Sequence, residues 1–196
     1  MSAPRARLIA VDVMDTLVRE AWMDALEQSA GLSLAEINRR QDPALWRDLE
    51  AGAIDEAAYW RGLHAGGVTV DPTVFHQARR QGYAWLPGAR ELLADLRAAG
   101  HTVVLASNYT AWIEDLRRTK FAGLPLYVSY QIGVRKPSLD FFAPLLRDHD
   151  AAVTELILID DSPPNVDAIT RAGGTGILHH DTGQTRTTLQ QLGILT

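Results

Sequence analysis

The stretch VDVMDTLV, Val11 to Val18, decides how the chain is read. It closes the short apolar run Leu8 to Val13, which is continuous and largely β-branched. Such a run predicts a strand buried on both faces, as in a parallel sheet, because a half-wet strand would alternate apolar and polar residues. Two carboxylates, Asp12 and Asp15, sit at its tip with Met14 between them. A carboxylate at the end of a buried strand is costly unless it has a partner, so Asp12 asks for one elsewhere in the chain.

Outward from that strand, the next segments all read as helices. REAWMDALEQSAG, SLAEINRRQ, PALWRDLEAG, DEAAYWRGLHAGG and DPTVFHQARRQGYAW are each bounded by Gly, Pro, Ser or Asp. From Leu86 the period alternates. PGARELLADLRAAG predicts a helix, HTVVLASN a strand, TAWIEDLRRT a helix, LYVSYQ a strand, SLDFFAPLLRDH a helix, LILIDD a strand, PPNVDAITRAG a helix and TGILHH a last strand. Strands separated by helix-length connections imply right-handed crossovers and a parallel sheet. The fold class expected is therefore α/β: a doubly wound, Rossmann-like parallel sheet from residues 1–17 and 86–196, with residues 18–85 inserted after the first strand as an all-helical cap.

Composition narrows the partners. At 196 residues the chain is long enough for one domain with an insert, and 46% apolar with 22% charged residues is ordinary for a globular protein. A net charge of -5 disfavours nucleic acid. The pairs Arg39-Arg40, Arg79-Arg80 and Arg117-Arg118 fall in helical patterns and are expected on solvated faces or helix ends. With no cysteine, disulfides, zinc-cysteine sites and thiol nucleophiles are excluded. No apolar run reaches membrane-spanning length and the N-terminus lacks a signal core, so a cytoplasmic protein, monomer or homodimer, is expected.

Open parallel sheets bind ligands beyond the carboxyl ends of their strands. Here those ends carry Asp12, then Ser107 and Asn108, then Asp160 and Asp161, with Lys136 in the loop GVRKP between. Singly, each has a bland role as a cap, a turn or a surface residue. Together, three carboxylates in one crevice would repel one another unless a cation joined them. Oxygen-only ligands select a hard ion, most simply Mg²⁺. A site with Mg²⁺, a lysine and a serine hydroxyl is suited to a phosphoryl group, which the remaining carboxylate can attack.

These segments resemble the haloacid dehalogenase-like hydrolase superfamily. VDVMDTLV, VVLASN, VRKP and LILIDDSPPN match its four motifs in its order, over Val11 to Asn165. The phrases YAWLPGARELLADLRAAG and LEAGAIDEAAYWRGL resemble the branch with a small helical cap after the first strand. The resemblance implies a Mg²⁺-dependent phosphatase of a small phosphorylated metabolite, working through an aspartyl-phosphate. Asp12 would be the nucleophile, and Ser107 would hydrogen-bond a phosphoryl oxygen. Lys136 would neutralise charge and orient Asp12. Asp160 and Asp161 would hold the metal directly or through water, with Asp12 and the Met14 backbone carbonyl. Asn108 lies on the substrate side beside Ser107 and Lys136; it and Asn165 are expected mainly to fix loops.

The family's phosphatases usually carry a second Asp two residues after the nucleophile, as general acid. Here that residue is Met14. A positioned acid is worth about 10² to 10⁴ in rate, whereas phosphate-ester hydrolases reach accelerations of up to roughly 10²¹. Its loss would therefore weaken the enzyme without abolishing it, and would favour acyl phosphates or acidic alcohols as leaving groups. Asp15 is expected to hold the turn rather than replace the acid. The family's metal-independent 2-haloacid dehalogenases also lack that acid, but they keep no acidic pair like Asp160-Asp161; they are the alternative, and a non-catalytic phosphate- or partner-binding module is the second. His179-His180 are expected to be solvated, AGGTG (172–176) to be a helix stop plus turn, and most of Trp22, Trp46, Trp60 and Trp85 to be cap core.

Overall fold

A computed structural model describes residues 7–196. The first strand, β1 (Leu8–Val11), lies in the middle of a five-stranded sheet and is buried along its whole length. Five helices follow it without a strand between them: α1 (Trp22–Ala30), α2 (Leu34–Arg40), α3 (Ala44–Glu50), α4 (Glu56–Ala65) and α5 (Pro72–Gly82). The alternating part runs α6 (Ala89–Ala98), β2 (Thr102–Ser107), α7 (Glu114–Thr119), β3 (Leu126–Val128), α8 (Ser129–Ile132), α9 (Ala143–Asp148), β4 (Leu156–Asp160), α10 (Pro163–Arg171), β5 (Thr175–Leu178) and α11 (Thr182–Gln191). The strand order is β3-β2-β1-β4-β5 and every pairing is parallel, so the fold is α/β with a doubly wound sheet. Among the described residues no helix is long and apolar enough to cross a membrane.

The two-residue period of the strands sorts their side chains onto two cores. Ile9 and Val11 face the larger one, with Leu92, Leu93 and Leu96 of α6, Leu116 of α7 and Leu189 of α11. Leu8 and Ala10 face the other, against Phe141, Phe142, Leu145 and Ile169. Register places Val11 opposite Leu105 on one side and Ile159 on the other, so the ends of β1, β2 and β4 open at one level.

The helical segment leaves and returns side by side. Arg19 N donates to Ala84 O and Leu86 N to Leu17 O, each at 2.9 Å, and Val18 bridges antiparallel to Trp85. Its helices pack chiefly α1 along α5.

Four local expectations needed correction. LYVSYQ is a strand only to Val128, because Ser129 starts a helical turn that ends at the left-handed Gly133. SLDFFAPLLRDH is not one helix: a 3-10 turn over Leu139–Phe141 precedes α9, since Pro144 has no N-H to give to Asp140 and its ring would clash with that carbonyl. Arg79 stands in the last turn of α5, a helix end as expected, but is buried rather than solvated, and His179 is buried against α11 with Nδ1 2.8 Å from Thr185 Oγ1. Helix α11, whose few buried residues are Thr182, Thr185 and Leu189, covers that histidine.

Candidate active site

Asp12 extends β1 by one residue: its N-H donates to Ile159 O at 2.9 Å, which fixes its backbone to the end of β4. The chain then folds into a tight loop, with Leu17 N and Val18 N both donating to Val13 O and Asp15 N to Val18 O. Asp15 sits at φ 54°, a left-handed conformation that Asp and Asn tolerate better than most side chains. Its Oδ1 accepts from Glu20 N at 2.9 Å. Asp15 is thus exposed and engaged in holding the turn. None of these three loop bonds uses the Met14 carbonyl.

Lys136 joins chain segments far apart in sequence. Its Nζ donates to Asp12 Oδ1 at 2.7 Å, to Asp160 Oδ2 at 2.6 Å and to the Ala106 carbonyl at 2.6 Å, with its side chain 1% exposed. Asn108 fixes the lysine's backbone from both sides: its Oδ1 accepts from Lys136 N at 2.8 Å and its Nδ2 donates to Lys136 O at 2.9 Å. Two carboxylates hold the ammonium charged, above its ordinary range, against the opposing effect of burial. Burial raises the Asp12 carboxyl; Lys136 pulls it down, and Asp160 and Asp161 push it up again. The second Asp12 oxygen takes no hydrogen bond among the described residues.

Asp160 has both oxygens engaged. Oδ2 meets Lys136, while Oδ1 accepts from Ser162 N and Asn165 Nδ2, each at 2.9 Å. Asp161 beside it is open to solvent, yet its carboxyl is raised, first by partial burial and then by Asp160 and Asp15. Three carboxylates against one ammonium leave two negative charges uncompensated, which a divalent cation would balance. Among the described residues no three acidic or histidine side chains cluster tightly enough to cage a metal by themselves. The donors fit Mg²⁺ in its usual manner, with one or two carboxylates completed by substrate phosphate and water. The free oxygen of Asp12, the Asp161 carboxylate and the Met14 carbonyl could serve.

Ser107 ends β2 with its Oγ buried and without a hydrogen-bond partner. A buried hydroxyl left unpaired costs about 1–3 kcal/mol, so the fold holds a donor in reserve there.

The site's roof was not legible in the sequence. Glu50 of α3 is buried, with Oε2 2.6 Å from Arg135 Nη2, and its carbonyl accepts from Ser129 Oγ at 2.6 Å. Burial pushes its carboxyl up to about 7 against the pull of Arg135 and a hydrogen bond from Trp46. Gly52 follows at φ 69°, where a Cβ would stand 2.2 Å from Tyr130 O. Trp46 stacks on Trp22 with ring centroids 3.9 Å apart and meets Tyr109 edge-on at 6.4 Å. Glu20 Oε1 accepts from Ala21 N at 2.7 Å, Trp22 N at 3.0 Å and the Tyr109 hydroxyl at 2.8 Å. Tyr109 O-H lies 2.9 Å from Tyr83 O-H, to which the buried Arg79 donates at 2.8 Å; Arg79 also pairs with Asp115 at 2.7 Å. The i, i+4 spacing of Arg79 and Tyr83 was the available sign of that bond.

Comparison with known proteins agrees with this geometry. A predicted HAD-like family hydrolase from Porphyromonas gingivalis superposes with a TM-score of 0.77 at 22% identity, over 96% of this chain and 98% of that one. The chain has the haloacid dehalogenase-like fold. A HAD family enzyme from Bacteroides thetaiotaomicron, solved in complex with magnesium and inorganic phosphate, superposes on this chain with a TM-score of 0.73. Its identity is 19%, over 90% of this chain and 96% of that one. The chloroplast protein flavin mononucleotide hydrolase 1 of Arabidopsis thaliana is 28% identical over 190 residues, which is 95% of this chain and 78% of that protein. No protein-family model matches the sequence.

Proposed function

We propose that this HAD-like chain is a magnesium-dependent phosphomonoesterase that works through an aspartyl-phosphate on Asp12, with residues 18–85 as its cap. The observation that carries the reading is the Lys136 ammonium bound between Asp12 and Asp160, at the strand ends where Ser107 keeps its hydroxyl unpaired. Lys136 holds one oxygen of Asp12 and leaves the other to attack phosphorus. Ser107 donates its hydroxyl proton to a phosphoryl oxygen, and Asn108 keeps Lys136 in place. Asp161, the free Asp12 oxygen and the Met14 carbonyl would hold the metal, and Asp160, whose own oxygens are engaged, would add negative charge beside it. A bound magnesium ion supplies charge neutralisation for the incoming phosphate dianion.

Flavin mononucleotide, which the Arabidopsis relative's name gives as its substrate, is the first compound to try. It is a primary alkyl phosphate with a flat ring system, and the half-buried Trp22 and Trp46 border Glu20 and Tyr109 with aromatic surface. The protein acts in the aqueous phase, as a monomer or homodimer.

The test is a panel of phosphate esters with and without Mg²⁺, beside 2-haloacids. Phosphate release that requires the metal supports the reading. Halide release without metal supports the dehalogenase alternative, which Met14 alone favours.

A further inference from the structure

Met14 leaves the proposed reaction without the usual proton source, and Asp15 is committed to the turn. Two carboxyls of the roof remain. Glu50 is tied by Arg135 and Trp46. Glu20 differs: all three of its hydrogen bonds fall on Oε1, and Oε2 takes none among the described residues.

The direction of those bonds is fixed by chemistry. Arg79 can only donate, so the Tyr83 hydroxyl accepts from it. Tyr109 gives its one hydroxyl proton to Glu20, so Tyr83 must donate to Tyr109. The other two partners of Oε1 are backbone N-H groups, which are donors only. Oε1 is therefore an acceptor throughout, and a proton carried by Glu20 has to reside on Oε2.

We propose that Glu20 is the general acid of this site, donating its Oε2 proton to the leaving oxygen in place of the acid missing at residue 14. The assignment rests on the phosphomonoesterase reading. As the Asp12 oxygen bonds to phosphorus, the ester P–O bond breaks and its electron pair stays on the alcohol oxygen. That oxygen takes the Glu20 proton and leaves as neutral alcohol. Glu20, now a carboxylate, regains its proton from solvent, and a water oxygen attacks the aspartyl-phosphate with both water protons leaving on the phosphate. The P–O bond to Asp12 breaks, Asp12 is restored and phosphate departs. Glu20 lies where the helical segment meets the core: its N-H donates to Asp15 Oδ1, and its Oε1 accepts from Tyr109, two residues past Ser107. Burial pushes its carboxyl up to about 7, Asp15 adds to this, and the hydrogen bonds from Trp22, Tyr109 and Ala21 act the other way; Glu50 lies in the same field. With Glu20 as donor, the site is not restricted to acyl phosphates or acidic alcohols.

The test compares wild type and Glu20→Gln on glycerol phosphate and acetyl phosphate, with Mg²⁺ present. Gln keeps an acceptor oxygen for Tyr109 and the two amides but has no proton to transfer. Turnover of the alkyl ester should fall about 10²-fold or more, while acetyl phosphate, whose leaving carboxylate needs no proton, should be hydrolysed as by wild type. The wild-type rate on the alkyl ester should decline above about pH 7, and the variant should lack that limb. Equal losses on both substrates would make Glu20 structural and overturn the assignment, as would no loss on either. If wild type hydrolyses neither phosphate, the phosphomonoesterase reading fails first and takes this assignment with it.

Discussion

Replacing Lys136 by Met removes the cation on which the buried strand tips depend. The ammonium makes two charged contacts and one backbone contact, at 2.6–2.7 Å, in a side chain 1% exposed. Deleting one member of such a buried set costs about 3–5 kcal/mol, because the remaining carboxylates keep their desolvation penalty without their partner. For a chain of this length each kcal/mol lowers Tm by roughly 2–4 °C, so a drop of about 6–20 °C is expected. The loss should depend on pH. Asp12 is already raised above its unfolded value, and removing Lys136 raises it further. Between the ordinary carboxylate range and that raised value, the folded variant keeps a proton that the unfolded chain has released. Its stability is therefore full below the unfolded pKa and falls as pH rises through the window. Thermal melts of both proteins in chelator should show the gap widest at mildly alkaline pH and narrower in mild acid. Equal melting points at alkaline pH, or a gap that ignores pH, would refute the claim that Lys136 compensates buried charge.

Two further substitutions separate chemistry from architecture. Ser107→Ala should raise Tm by about 2–12 °C, since it removes a buried hydroxyl that has no protein partner. It should weaken inorganic phosphate binding, measured by calorimetry, by about tenfold or more, the worth of a hydrogen bond to a charged group. Asp15→Asn keeps both the acceptor for Glu20 N and tolerance of φ 54°, so it should remain folded and active; Asp12→Asn should remain folded and release no phosphate.

Much of this architecture is visible in the sequence because buried parallel strands advertise themselves. LIAV, VVLA and LILI are continuous apolar runs, and each is followed directly by a polar residue: Asp12, Ser107 and Asp160. The order of those tips with Lys136 pointed to one crevice, and the structure brings Asp12, Lys136 and Asp160 into direct contact. What stayed hidden had no periodic signal. Helix α11 buries only Thr182, Thr185 and Leu189, too few apolar residues to mark a face. Arg79 is buried because Tyr83, Trp112 and Asp115 from separate elements accept its protons, a tertiary fact that charge patterning cannot reveal. Glu20 reads as one more surface acid until Tyr109 is folded against it.

The central claim is tested most directly by quenching the wild-type enzyme in acid during turnover of a phosphate ester with Mg²⁺ and mapping its peptides by mass spectrometry. The account predicts a phosphoryl group on Asp12, absent when the metal is withheld. Phosphate release that proceeds with residue 12 unmodified, or that survives in Asp12→Asn, would contradict it.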